Sequence, residues 1–230
     1  MKIYGLQKTS LLDYPEKLAC TIFTGGCNFR CPYCHNASLV INIDDSNTIT
    51  EENLLEFLEK RKKVLEAVCI SGGEPLLQDE IIDFIRKIKS IGYMVKIDTN
   101  GSYPEKLQYL IENNLIDYIA MDIKNSLENY PDTVGIKNFD TKNIEKSIIL
   151  IMKNYIPYEF RTTIVREFHT TNDFISIGNL IKSAKKYYLQ AFKNSENTIA
   201  TNLHGFSKNE MLEFKELIKN NFELMDIRGI

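Results

Sequence analysis

The sequence predicts an α/β protein, a partial (β/α)6 barrel of parallel strands with its helices outside. Three observations carry that expectation. Short β-like apolar runs alternate with longer helix-spaced runs about six times, the pattern of parallel strands joined by crossover helices. The β-like runs stop at punctuating residues, Gly72-Gly73 and Asn100-Gly101 among them. The chain has 230 residues, a size that α/β barrels reach undivided, yet six units fall short of the eight that close a barrel. A single domain over 1–230 is expected, with 1–17 as an N-terminal extension, 18–206 as the barrel core and 207–230 as a C-terminal helix and strand.

Each element has a local reason. Leu18 to Thr24 reads as the first strand. Thr50 to Arg61 reads as a helix, because Thr50 suits an N-cap and acids fill the first turn. Ala67 to Ser71 is a short apolar run stopped by Gly72-Gly73, hence a buried strand. Leu77 to Ile91 has helical spacing and ends before Gly92. Met94 to Asp98 is a strand, and Pro104 to Asn113 a helix with proline in its first turn. Ile116 to Ile123, Tyr158 to Val165 and Tyr187 to Phe192 read as strands. Asn143 to Asn154 and Ser207 to Asn220 read as helices and Asp173 to Lys185 as mostly helix, with Phe222 to Ile227 a candidate final strand. The segment from Asn125 to Asn143 is polar and poorly periodic, so it is expected to be a surface loop beside the barrel mouth.

Composition narrows the function. Hydrophobic residues make up 43% and charged residues 26%, with a net charge of −3. No basic, aromatic-rich patch argues for nucleic acid. The run Lys60-Arg61-Lys62-Lys63 reads as a solvated helix end. No apolar stretch reads as a signal peptide or is long enough to cross a bilayer, so a cytoplasmic protein with no membrane partner is expected. Reducing compartments disfavour disulfides, and an odd count of 5 cysteines fits a disulfide framework poorly.

Three of those cysteines lie in Cys27-x3-Cys31-x2-Cys34, directly after the first strand and Gly25-Gly26. Thiolates at this spacing can wrap one soft metal centre from a single loop, whether an iron–sulfur cluster or zinc. A closed zinc site needs a fourth ligand, for which His35, His169 and His204 are the candidates. Cys20 and Cys69 sit in apolar strands and read as buried core. A cubane cluster accounts for three ligands differently: one iron is left open to bind something else.

Polar residues recur at the ends of successive strands, where ligands of parallel α/β folds bind. Gly72-Gly73-Glu74-Pro75 follows the second strand, and its glycines let backbone approach a ligand closely. Asp98 and Asn100 share a face at the end of the third, and Asp122 and Lys124 at the end of the fourth. Arg161 and Thr163 share a face of the fifth, where an arginine suits a carboxylate clamp. Gln190 and Phe192 end the sixth.

The cysteine spacing, with Tyr33 just before the last cysteine, resembles the signature of the radical S-adenosylmethionine superfamily, and the Gly72-Gly73-Glu74-Pro75 segment resembles its glycine-rich turn. The resemblance implies a radical SAM core with one 4Fe-4S cluster on Cys27, Cys31 and Cys34, and S-adenosylmethionine on the open iron. It implies nucleotide contacts from Tyr33, His35, Gly72, Gly73, Glu74, Asp98, Asn100, Asp122, Lys124, Arg161 and Thr163, with a monovalent cation near Asp98 and Asp122. His35 is equally suited to capping the loop.

As a whole the chain resembles the glycyl-radical-enzyme activating proteins, most of all those acting on anaerobic ribonucleoside-triphosphate reductase. The matching stretches are Leu6 to Pro15, Thr24 to Asn36 and Met121 to Lys124. It lacks the inserted ferredoxin-like cysteine domain of some activases, and Gln190 to Lys193 is only loosely similar. The resemblance implies an oxidoreductase whose cluster takes one electron from flavodoxin or ferredoxin and cleaves S-adenosylmethionine to methionine and a 5′-deoxyadenosyl radical. That radical takes a hydrogen from a glycine of the partner enzyme. Two rivals stand beside it: a small-molecule enzyme of the 7-carboxy-7-deazaguanine synthase kind, and a non-enzymatic metal-binding module.

Overall fold

The computed structural model describes residues 1–195 and 197–230. In chain order the elements are β1 (Gly5–Ser10), β2 (Ala19–Thr24), α1 (Ala37–Val40), α2 (Glu51–Arg61), β3 (Ala67–Gly72), α3 (Ile81–Ile91), β4 (Met94–Thr99), α4 (Pro104–Glu112) and β5 (Tyr118–Asp122). There follow α5 (Tyr130–Val134), α6 (Lys142–Met152), β6 (Tyr158–Ile164), α7 (Thr171–Leu180), β7 (Lys186–Ala191), α8 (Lys208–Ile218) and β8 (Leu224–Arg228). All eight strands form one sheet whose spatial order equals their chain order. Strands β2 to β8 run parallel, and β1 joins β2 antiparallel. The two edge strands, β1 and β8, do not pair, so the sheet is an open, partial barrel of α/β class.

The helix ends follow from the sequence. Thr50 accepts from Asn53 N, as an N-cap should. Ser207 and Glu210 form a reciprocal capping box at α8, and Thr170 and Asp173 another at α7. Three expectations need correction. The helix foreseen from Leu77 starts only at Ile81, because Pro75–Leu77 forms a separate 3-10 turn capped by the Glu74 carboxylate. The N-terminal extension contains β1, a strand with polar residues exposed through its middle, whose outer edge has no partner to impose alternation. The expected surface loop from Asn125 to Asn143 is mostly irregular and in large part exposed, but it carries the short helix α5, where Tyr130 and Val134 are wholly buried. Five residues are too few for helical periodicity to register.

Side-chain alternation sorts the sheet into two faces. Ile22, Ile70, Ile97, Met121, Phe160 and Leu189 point outward and are fully buried beneath the helices. Burial of each such side chain is worth about 1.5–3 kcal/mol. The inward set is polar above and apolar below. At the bottom Tyr14, Ala19, Ala67 and Tyr118 pack together, with Met94 beside them. Tyr14 reaches this floor from the turn after β1, its ring 5.7 Å from that of Tyr118. The same turn is held by Ser10 Oγ, which accepts from Leu12 N and Asp13 N, and by Asp13, which accepts from Thr21 Oγ1 at 2.6 Å. Tyr14 is thus the residue of the Leu6 to Pro15 stretch that packs into the barrel floor. Replacing Tyr14 with Ala should open that floor and cost about 3 kcal/mol, read as a lower urea midpoint of the metal-free protein by circular dichroism.

Candidate active site

One cavity opens at the carboxyl ends of the strands, bordered by Cys27, Cys31 and Cys34 together with residues from β3 to β7. The cysteine loop is seated against the β3 turn. Glu74 N donates to Gly26 O at 2.8 Å, and Asn36 Nδ2 donates to Gly72 O at 2.9 Å. A Cβ on Gly73 would lie 1.9 Å from Gly26 O, so only glycine permits this approach. On its other side the loop rests on α5. Phe29 packs edge-on against Phe139 at 5.1 Å, Arg30 N donates to Val134 O, and a Cβ on Gly135 would come within 2.5 Å of Arg30 O. The segment expected to be a surface loop is a buttress for the cysteines.

The thiols are shielded. Burial pushes Cys27 up to about 11 and Cys31 up to about 12; the neighbouring Cys34 adds to both and Lys124 opposes it. Phe29 N and Asn100 Nδ2 both approach Cys27 Sγ, at 3.3 and 3.7 Å. Negative charge on these sulfurs needs positive charge close by, which an iron–sulfur cluster supplies. Among the described residues no three His, Cys, Asp or Glu side chains close around a single-ion point. The three thiols instead border a shared cavity, which suits a cluster with several metal positions better than one zinc ion. The histidines do not complete a zinc site. His169 is buried with both ring nitrogens bound to backbone, Nδ1 to Val165 and Nε2 to Lys124 O. His204 is exposed and pairs with Glu167 at 2.6 Å. His35 borders the cavity and stacks on Phe192 at 5.2 Å, and burial lowers its pKa. Cys20 and Cys69 are fully buried and do not line the cavity.

The strand ends bordering the cavity carry a chain of charges. Lys96 pairs with Asp98, Arg161 Nη1 lies 3.4 Å from Asp98, Arg161 Nε bonds Asp122 at 3.0 Å, and Lys124 Nζ bonds Asp122 at 3.0 Å. Burial would raise the Asp122 carboxyl, but Arg161 and Lys124 outweigh it and bring the pKa down to about 2. Burial acts on Asp98 in the same sense, and Arg161 and Lys96 again prevail, so its pKa is also lowered. Three cations face two acids here. Asp98 and Asp122 are each paired with side-chain cations.

Most of the expected contact residues do meet at this cavity: Tyr33, His35, Gly72, Gly73, Asp98, Asn100, Asp122, Lys124, Arg161 and Thr163 all line it, and Gln190 closes the far wall beside Thr163. Glu74 does not. It is fully buried, and its carboxylate accepts from Leu76 N, Thr99 Oγ1 and Asn100 N, tying the β3 turn to the end of β4. Sequence reasoning missed Lys96, whose signal was a lysine two residues before Asp98 on one strand face, and Asn36, for which spacing offered no signal.

Residues 21–181 match the Radical SAM superfamily. A Methanocaldococcus jannaschii protein named as a glycyl-radical enzyme activating enzyme is 35% identical over 99% of this chain and 96% of its own length. The pyruvate formate-lyase-activating enzyme of Clostridium pasteurianum is 33% identical over 54% of this chain and 52% of its own. Among solved structures, Streptococcus suis SuiB bound to S-adenosylmethionine superposes with a TM-score of 0.70 at 13% identity, covering 90% of this chain and 49% of that one, a likeness of fold. The chain belongs to the radical SAM superfamily, and its cofactors are a 4Fe-4S cluster and S-adenosylmethionine.

Replacing Gly135 with Val should force α5 off Arg30, since its φ of +69° and the close carbonyl both exclude a β-branched residue. A loss of roughly 2 kcal/mol and lower iron content after anaerobic reconstitution are expected. Because folding depresses the pKa of Asp122, its stabilising contribution is complete above the unfolded value of 3.8 and is lost as pH falls through about 2. Asp122→Asn should flatten the acid limb of a stability-against-pH curve over that window.

Proposed function

We propose that this chain is the activating enzyme of a glycyl radical enzyme, with anaerobic ribonucleoside-triphosphate reductase as its partner and flavodoxin or ferredoxin as its electron donor. The observation that carries the reading is the likeness to a relative named for that activity over nearly the full length of both chains. The anaerobic reductase is named on the sequence resemblance alone.

Bound in this cavity, the reduced cluster and S-adenosylmethionine supply a 5′-deoxyadenosyl radical that can take a hydrogen from a glycine α-carbon. The chain's own residues hold and screen that chemistry. Cys27, Cys31 and Cys34 are the cluster ligands. Gly72 and Gly73 bring bare backbone to the amino-acid end of the nucleotide. Glu74 holds Asn100 so that its amide faces Cys27 and Asn28. Lys124 uses one of its three donors on Asp122, leaving the others for the ligand's carboxylate. Arg161 is committed to two aspartates and serves chiefly to fix their positions. Phe29, Tyr33 and Val40 give the cavity an apolar side that limits water near a reactive radical.

Anaerobic incubation of the reconstituted protein with reductant, S-adenosylmethionine and the reductase should give a glycyl radical doublet by spin resonance, with 5′-deoxyadenosine formed. Cys31→Ala should lose more than the roughly 100-fold that removing even an outer-shell partner of a metal costs. Deoxyadenosine production coupled to a small purine-like molecule, with no radical on any glycyl enzyme, would replace this reading with the deazaguanine synthase one.

A further inference from the structure

Asn100 follows β4, borders the cavity and is 6% exposed. Separate partners fix its backbone and its side chain. Asn100 N donates to the Glu74 carboxylate at 2.7 Å, and Asn100 Oδ1 accepts from Ser102 N at 3.0 Å. With the amide oxygen committed to a backbone donor, the amide nitrogen faces the other way, toward the cysteine loop. There Asn100 Nδ2 donates to Asn28 Oδ1 at 2.9 Å and lies 3.7 Å from Cys27 Sγ. Asn28 in turn donates from Nδ2 to Ser102 Oγ at 2.9 Å, so the two amides and the serine form one network.

A side-chain amide nitrogen carries two hydrogens. One serves Asn28, and the other has Cys27 Sγ as its acceptor. Tying the loop to the end of β4 needs only the first; the second acts on the thiol itself. Phe29 N also reaches Cys27 Sγ, at 3.3 Å, but from within the same loop. Among the described residues these two are the hydrogen bonds to the three cavity thiols, and both fall on Cys27. Asn100 is the donor that comes from outside the loop, with its position set by Glu74 and Ser102.

We propose that the Asn100 side-chain amide donates a hydrogen bond to the Cys27 thiolate of the bound cluster and raises the cluster's reduction potential. Reduction adds one electron, and part of that charge falls on the sulfurs, so a donor held against one of them favours the reduced form. Hydrogen bonds to an ionised acceptor are roughly twice as strong as neutral ones. The amide keeps both hydrogens, and no covalent bond is made or broken. This role differs from the nucleotide contact that the resemblance implies for Asn100, and it stands whichever partner protein the enzyme serves.

The test compares Asn100→Asp, Asn100→Ala and Asn28→Ala with the unaltered protein, all reconstituted anaerobically to equal iron content and without nucleotide. Asn100→Asp keeps an acceptor for Ser102 N but puts oxygen where the donor stood. Asn28→Ala removes the tie to the loop and leaves the donor to sulfur. In a dithionite titration followed by spin resonance, both Asn100 variants should show a more negative midpoint, with Asn100→Asp the lowest. For Asn100→Ala the expected change is about tenfold in the reduction equilibrium, ~59 mV for one electron. Asn28→Ala should move the midpoint less than either. An unchanged midpoint in the Asn100 variants would overturn the proposal; weakened S-adenosylmethionine binding alongside it would place the amide on the nucleotide. A shift in Asn28→Ala as large as that in Asn100→Ala would also overturn it, because the midpoint would then follow the order of the loop. Should a variant take up no cluster, the unaltered protein decides. With heavy nitrogen in its asparagine side-chain amides, the reduced cluster should show a nitrogen coupling by pulsed spin resonance, and absence of that coupling would overturn the proposal.

Discussion

Arg161 stands between Asp98 and Asp122 inside the barrel, and the arrangement of the site depends on that placement. Asp122 and Arg161 are register partners on β5 and β6, and Asp98 lies one strand further on, so a single guanidinium spans three strands. Such a buried network adds little net stability over a hydrophobic core, because each charge must be desolvated. Breaking it is another matter: removing one member leaves a charge unpaired and costs about 3–5 kcal/mol. The network therefore specifies geometry more than it stabilises. It holds the cavity's charged wall in place and sets Lys124 beside the thiols.

The thiol side of the cavity is built from contacts that converge on one loop. The cysteine loop, between β2 and α1, has no regular structure. Its shape is imposed from outside by the β3 turn, by Asn36 on Gly72 O, and by α5 beneath Arg30. Glu74 links this support to the end of β4 through two accepted hydrogen bonds, from Thr99 Oγ1 and Asn100 N. The thiols and the charged wall are therefore braced by a shared set of strand ends, so a shift in one is felt by the other.

Much of this was legible in the residues. Alternating strand and helix signals placed the parallel strands and most helix ends, because caps and glycine stops act locally. The strand-end pairs Asp98 and Asn100, Asp122 and Lys124, and Arg161 and Thr163 were legible because alternation over two residues places side chains on one face whatever the fold does next. The role of Glu74 was not, because a turn residue has no periodic face. Its carboxylate turned inward to satisfy donors 25 and 26 residues away.

By itself the sequence determined the cysteine triad, the parallel α/β order and the polar strand ends, all of which rest on spacing along one chain. Tertiary structure alone decided that α5 packs under the cysteine loop, that β1 edges the sheet and that Tyr14 packs into its floor. It also decided that Lys96 pairs with Asp98 and that Arg161 pairs with both Asp98 and Asp122. These features depend on which distant segments share a space, and local periodicity carries no record of that.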